Sequence, residues 1–192
     1  MLSRVLVSGV SGPIGTALLP SLDTRGYEVV RLVRGPAAGA QISWEPAKPL
    51  EPESVSGFDA VIHLAGESIV GRWSAAKKAR IRDSRVLGTR HLALALAQAK
   101  EKPQVFICSS AIGYYGNRGD EVLREDSKPG AGFLADVCRE WEAATKPAID
   151  AGIRTAQIRT GVCSVRKAAR WARCSLPSNW AWAAALATVV NG

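Results

Sequence analysis

The chain lacks most of what would tie it to a metal, a membrane or an oxidising compartment. Its four cysteines, Cys108, Cys138, Cys163 and Cys174, are widely separated and show no metal-ligand spacing. Reduced thiols in the cytoplasm are therefore expected, not a disulfide framework or a zinc site. The two histidines, His63 and His91, are too few and too scattered for a metal site. No run of about 18 apolar residues is available to span a bilayer, and Met1 leads directly into an apolar segment with no secretory leader. A cytoplasmic protein with no membrane partner is expected. Internal repeats are absent. Acidic residues are missing from one region only: positions 151–192 carry six Lys and Arg and no Asp or Glu, whereas 1–150 carry 19 basic and 17 acidic residues. The net charge of +8 thus belongs mostly to the last fifth of the chain. Nucleic acid is excluded as a partner, because its footprint needs Lys and Arg clustered on a folded face.

What is present is concentrated at the start. Val5-Leu6-Val7-Ser8 reads as a short apolar strand, Gly9-Val10-Ser11-Gly12-Pro13-Ile14-Gly15 as a glycine-rich turn, and Thr16-Ala17-Leu18-Leu19 as the helix that follows. Such a turn points backbone N–H groups and the positive end of a helix dipole at one place, where a pyrophosphate can sit. Glycine is needed there because a Cβ would block the turn, the ligand or the helix–strand packing. The spacing is G-x-x-G-x-x-G, and its place between a strand and a helix favours nucleotide binding over an ordinary loop.

A chain of 192 residues suffices for one domain with its own core. Strands are expected at 4–8, 28–33, 59–64, 104–109 and 154–159, and helices at 14–25, 74–99 and 132–151. The strands are continuous apolar runs, as when both faces of a parallel sheet are covered. Their alternation with helices implies right-handed βαβ units and an α/β protein with a doubly wound sheet. Positions 36–52 read as a connection. The second strand ends in Arg31-Leu32-Val33-Arg34-Gly35, without the acid that an NAD site places against the ribose 2′-OH. Arg34, with Arg31 second, can instead pair with the 2′-phosphate of NADP, the alternative being a solvated arginine at a strand end.

Further motifs resemble those of extended short-chain dehydrogenase/reductases. Asp59-Ala60-Val61-Ile62-His63-Leu64-Ala65-Gly66-Glu67 is similar to their strand and turn beside the adenine side of the cofactor. Ser84-Arg85-Val86-Leu87-Gly88-Thr89 resembles their long central helix, and Ser109-Ser110-Ala111-Ile112-Gly113-Tyr114-Tyr115-Gly116 the strand end that carries a catalytic serine or threonine. With Arg72-Trp73 and Arg139-Glu140-Trp141-Glu142, the match narrows to the atypical subgroup called epimerase family proteins, some of which carry the label cell division inhibitor. The resemblance covers about residues 3–162 and implies a Rossmann-type domain over 1–162. It implies cofactor contacts from Gly9, Ser11, Gly12, Pro13, Ile14, Gly15, Arg34, Leu64, Ala65, Gly66 and Glu67. NADP is the expected cofactor, with NAD in second place. A homodimer through the two long helices is implied by analogy.

Active members of the family use a Tyr-x-x-x-Lys pair in which lysine lowers the tyrosine pKa. With Glu142 as the family's glutamate, the lysine position falls on Cys138, the tyrosine position on Leu134, and the central-helix asparagine on Arg85. Neither Cys138 nor Leu134 can do that work. Ser110 remains the candidate to orient a substrate carbonyl or hydroxyl and Tyr115 the candidate proton donor, against the alternative of a packed structural Tyr-Tyr-Gly loop. Cys138 reads as a small buried residue, since no basic partner is evident. His63 is expected to satisfy its ring locally and His91 to sit on a helix packed to the sheet. Lys77, Lys78, Arg80 and Arg82 read as the solvated face of a helix, Asp120, Glu121, Glu125 and Asp126 as a solvated loop, and Trp44 and Trp73 as packing residues.

Positions 163–192 form an atypical basic tail with Trp171, Trp180 and Trp182, where relatives would continue into a glycine-rich segment and a substrate domain. The substrate domain is expected to be largely missing. We expect the tail to be translated out of frame, because plausible codons for Ala169-Arg170-Trp171-Ala172-Arg173-Cys174, displaced by one base, can encode a glycine-rich continuation; the coding DNA across this stretch tests it. The competing reading is an amphipathic tail for a membrane surface or partner. Three functions stand at this point: an NADP-dependent oxidoreductase or epimerase acting on a small hydroxy or carbonyl compound, a non-catalytic NADP-binding regulator, or an inactive truncated product.

Overall fold

The computed structural model describes residues 3–161, so the tail at 163–192 lies outside the described residues. Six strands, β1 (Arg4–Ser8), β2 (Glu28–Val33), β3 (Gln41–Ser43), β4 (Ala60–His63), β5 (Val105–Ala111) and β6 (Arg154–Thr160), form one sheet in the order β3-β2-β1-β4-β5-β6. Every pairing is parallel, with Leu6 opposite Val30 and Val61, and Ile107 opposite Ile62 and Ala156. This is the doubly wound order, in which the direction of winding reverses between β1 and β4.

The period of two along each strand divides the core. Val5, Val7, Ile62 and Ile107 pack on one face with Leu18 and Leu22 of α1 (Pro13–Thr24). Leu6, Val61 and Phe106 pack on the other with Leu92 and Leu96 of α2 (Ala75–Gln98) and with Trp141 of α3 (Phe133–Ala143). All five expected strands and the first two helices form within a residue or two of the expected bounds.

Two differences have local causes. β3 arises inside the expected connection, because Gln41–Ser43 needs only backbone pairing with Arg31–Val33 at the sheet edge. The expected helix over 132–151 is divided into α3 and α4 (Lys146–Asp150). Pro147 has no N–H to continue the helix, and Thr145 turns its hydroxyl back onto the Glu142 carbonyl at 2.7 Å.

Candidate functional site

The strand ends bring the expected cofactor residues to one edge of the sheet. Gly9 follows β1 with φ +70°, and a Cβ there would lie 2.5 Å from the Leu64 carbonyl carbon. Only glycine permits both that backbone conformation and that approach. The Gly12 N–H closes the turn onto the Gly9 carbonyl at 3.1 Å. Gly15, in the first turn of α1, is packed so closely on β1's exit that a Cβ would stand 2.5 Å from the Gly9 oxygen. Pro13 occupies the first helical turn and no side chain caps it. The first helical hydrogen bond, from Thr16 N–H to the Gly12 carbonyl at 2.9 Å, leaves the Ile14 and Gly15 N–H groups for an outside acceptor. Ser11 and Pro13 are exposed beside them.

Leaving β4, Leu64 and Ala65 lie directly against this turn, and Gly66 and Glu67 continue onto α2, Gly66 against the Arg85 guanidinium. Ser8 joins the two strands: its Oγ accepts the Leu64 N–H at 3.2 Å and lies 2.6 Å from His63 Nδ1. Arg85 of α2 supports the next residues, donating to the Glu67 and Ile81 carbonyls at 3.0 Å and stacking 5.1 Å over the Trp141 ring. Burial pushes the Arg85 pKa down, and among the described residues no carboxylate pairs with it. Arg34 is exposed just past β2.

Glu67 is better anchored than its sequence context suggests. Its carboxylate meets Lys77 Nζ at 2.7 Å and lies 3.9 Å from Arg80 Nε. The Lys77 hydrogen bond, outweighing burial and aided by the charges of Lys77, Arg80 and Arg34, holds the Glu67 carboxyl below its ordinary value. Lys77 therefore departs from the solvated-face reading: its side chain is only 13% exposed. Lys78 lies over the Phe133 ring and Arg82 pairs with Glu140, both on an exposed surface.

Ser110 and Tyr115 come together at the end of β5, around a residue the sequence marked only as a strand end. Arg159 of β6 holds Glu142 through Nε and Nη2 at 2.8 and 2.9 Å. Its Nη1 donates to the Tyr115 hydroxyl and to the Glu125 carbonyl, each at 2.9 Å, and its guanidinium lies 3.5 Å from the Tyr114 ring centroid. Ser110 is buried and donates its proton to Glu142 Oε1 at 2.6 Å. Burial raises the Glu142 pKa, but the hydrogen bonds from Arg159 and Ser110 and the Arg159 charge bring it below the ordinary value. Leu134 and Cys138 face the Gly113 turn after β5, and burial first of all pushes the Cys138 thiol up. No amine stands at that position. Among the described residues no group of His, Cys, Asp and Glu is placed to hold a metal ion, and no helix is long and apolar enough to cross a membrane.

His63 is satisfied on one side only. Nδ1 meets Ser8, while Nε2 is buried without a partner among the described residues, between Trp44 and Phe106. Burial lowers its pKa from 6.5 to about 4. A depressed histidine contributes stability that is full above its unfolded value and is lost as pH falls. Between pH 6.5 and 4 this loss is about 3 kcal/mol. Urea unfolding at pH 7 and 4.5 is expected to show it in the wild type and to show a markedly smaller loss in His63→Phe; equal losses in the two proteins would contradict this assignment.

A model of the NAD dependent epimerase/dehydratase family matches residues 5–133. An epimerase family protein of Mycobacterium leprae is 40% identical over 167 residues, which cover 85% of this chain and 54% of the relative. The crystal structure of a human epimerase family protein with NADPH is 32% identical with a TM-score of 0.75, covering 87% of this chain and 56% of that one. A nucleoside-diphosphate sugar epimerase from Corynebacterium glutamicum is 43% identical with a TM-score of 0.74, covering 84% of this chain and 34% of that one. The chain spans about half the length of the curated relatives it matches.

Proposed function

Because this chain belongs to the NAD dependent epimerase/dehydratase family, we propose that it holds NADP at the β1–α1 turn, NAD in second place, and serves an oxidoreductase or epimerase reaction on a small hydroxy or carbonyl compound such as a nucleotide sugar. The observation that carries this reading is the glycine cradle. A Cβ at Gly9 or Gly15 would collide with backbone 2.5 Å away and break the turn, and with no side-chain cap the Ile14 and Gly15 N–H groups are left to bind an anion. Arg34, where an NAD site carries an acid, supports NADP, and the human relative was crystallised with NADPH.

A nicotinamide cofactor supplies the hydride donor or acceptor when bound. The chain's own residues supply polar chemistry at the end of β5. Ser110 commits its proton to Glu142, so its oxygen is left to accept, which suits a substrate hydroxyl better than a carbonyl. The Tyr115 oxygen accepts from Arg159 and keeps its own proton for donation. A second reading, cofactor binding without turnover, is favoured by Leu134 and Cys138 at the Gly113 turn, since neither a phenol nor an amine stands there.

NADPH fluorescence titration tests the cofactor site. Saturable binding at least about tenfold tighter than that of NADH is expected from one added charge-assisted contact; no binding of either would refute the proposal. Transfer of deuterium from labelled NADPH into candidate sugars, lost in Tyr115→Phe, separates turnover from binding alone.

A further inference from the structure

Two arginines draw back from water at the carboxyl end of the sheet, and only one has its charge answered. Arg159 lays the edge formed by its Nε and Nη2 along the Glu142 carboxylate at 2.8 and 2.9 Å. Arg85 offers the same edge to nothing among the described residues. Its two hydrogen bonds, to the Glu67 and Ile81 carbonyls at 3.0 Å, both leave from Nη1. Nε and Nη2 are not sealed in the core either, so their donors reach solvent. The group is nevertheless held still. The two carbonyls fix one end of the guanidinium, and the Trp141 ring centroid lies 5.1 Å from its carbon. Gly66 makes room for it, since a Cβ there would stand 3.2 Å from Cζ. Trp141 is fixed in turn, its Nε1 donating to Thr89 Oγ1 at 2.9 Å. Arg85 therefore spans from the loop after β4 to α3, where it meets Trp141 while Ser110 meets Glu142, the next residue.

A half-buried cation without an anion is costly, and a bound anion recovers that cost. Two parallel N–H donors on a rigid plane match the two oxygens of a carboxylate. Charge separates carboxylate from phosphate. Lys77 and Arg159, also withdrawn from water at this end of the sheet, are already balanced by Glu67 and Glu142. Arg85 thus offers a single positive charge, whereas a phosphomonoester brings close to two negative ones. We propose that the Nε–Nη2 edge of Arg85 binds a carboxylate of the substrate, which makes the small hydroxy or carbonyl compound a hydroxy acid or its oxo counterpart. This rests on the reaction proposed above and narrows its substrate class. Arg85 holds the acid group, and Ser110 and Tyr115 are left to the hydroxyl or carbonyl.

Proton–nitrogen NMR of the arginine Nε–H groups in the uniformly labelled full chain reads this edge directly. The Arg85 signal is identified by its proximity to the Trp141 indole and by its loss in Arg85→Lys. Glycolate and pyruvate are expected to shift it saturably, half-way at about 10 mM or below in low salt and later in high salt. The neutral glycolamide and pyruvamide should leave it in place. Arg85→Lys keeps the charge but loses the two-donor edge, so acid binding followed at the Glu67 amide should weaken about tenfold. If that variant fails to fold, the wild-type titration still decides. An Arg85 signal that neither acid moves, or that moves no more than those of the exposed Arg25 and Arg90, overturns the carboxylate site. NADPH titration run alongside keeps the two readings apart. NADPH bound with Arg85 unmoved overturns this site alone; Arg85 moved with no NADPH bound overturns the cofactor reading, and with it the acid's role as substrate.

Discussion

Gly15→Ala is expected to abolish nicotinamide-nucleotide binding and to destabilise the fold by about 3 kcal/mol, at the upper end of what overpacking costs. The added methyl would stand 2.5 Å from the Gly9 oxygen and 2.6 Å from the Val10 Cα. Both are backbone atoms, so no rotamer change relieves the clash. α1 must instead move away from β1, which carries off the Ile14 and Gly15 N–H groups and loosens Leu18 and Leu22 from Val5 and Val7. Gly9→Ala adds left-handed strain at φ +70° to a clash with the Leu64 backbone and should be at least as damaging. Gly12→Ala is the control: its φ is ordinary and its nearest neighbour is 3.3 Å away, so stability should change by less than about 1 kcal/mol. Urea midpoints and NADPH titration of the three variants check the order. A Gly15→Ala protein that binds NADPH within about twofold of wild type would show that the turn is not the cradle.

That gradient was only partly legible in the residues. Parallel strands covered on both faces leave apolar runs that can be read directly, and the alternation of Leu6 with Val5 and Val7 fixes which side each helix covers. The glycine triplet marks the turn, but not which glycine is indispensable: Gly9 is fixed by Leu64, some fifty residues later in sequence, and Gly15 by the way the turn folds α1 back onto Gly9 and Val10. β3 left no apolar signature because an edge strand of three residues needs only backbone partners. The break in the third expected helix is visible at Pro147 but is placed at Thr145 by a side-chain turn onto Glu142 and a bond from Gln157 on β6.

The polar site was harder to read for the same reason: its partners meet only in the folded sheet. Six of the first eleven residues of α2 are charged, so Lys77 looked like its neighbours until the loop after β4 set Glu67 against it. His63 gave no sign that Trp44 would close over one side of its ring. Arg159 stood at the end of a strand with no motif around it, although the topology places β6 beside β5 and Arg159 opposite Ser110 in register. A search for arginines at the carboxyl ends of the strands, rather than for a serine and tyrosine alone, is the signal that could have found it.

Arg159→Met is expected to be the next most damaging change, costing about 2 to 4 kcal/mol, because it leaves a carboxylate buried without its cation. The Glu142 side chain is 11% exposed and that of Arg159 19%. Partial access to water at this sheet edge keeps the loss below that of a fully sealed pair. Glu142→Gln should cost less, since its amide oxygen still accepts from Ser110 and Arg159 retains Tyr114 and Tyr115. The double variant should be more stable than the sum of the two losses predicts, because each single change strands the other partner. The pH dependence supplies a readout that packing damage cannot imitate. In the wild type the Glu142 carboxyl is held below its ordinary value, so its contribution is present above the unfolded value and is lost as pH falls through the folded one. Without Arg159, burial dominates and raises the same carboxyl, which reverses the sign: the folded state then gains protons more readily than the unfolded one. Arg159→Met should therefore recover part of its deficit relative to wild type between pH 7 and about 4, measured by urea unfolding across that range. A deficit that stays constant with pH would mean that Arg159 works through its contacts with the tyrosine rings and not through the charge of Glu142.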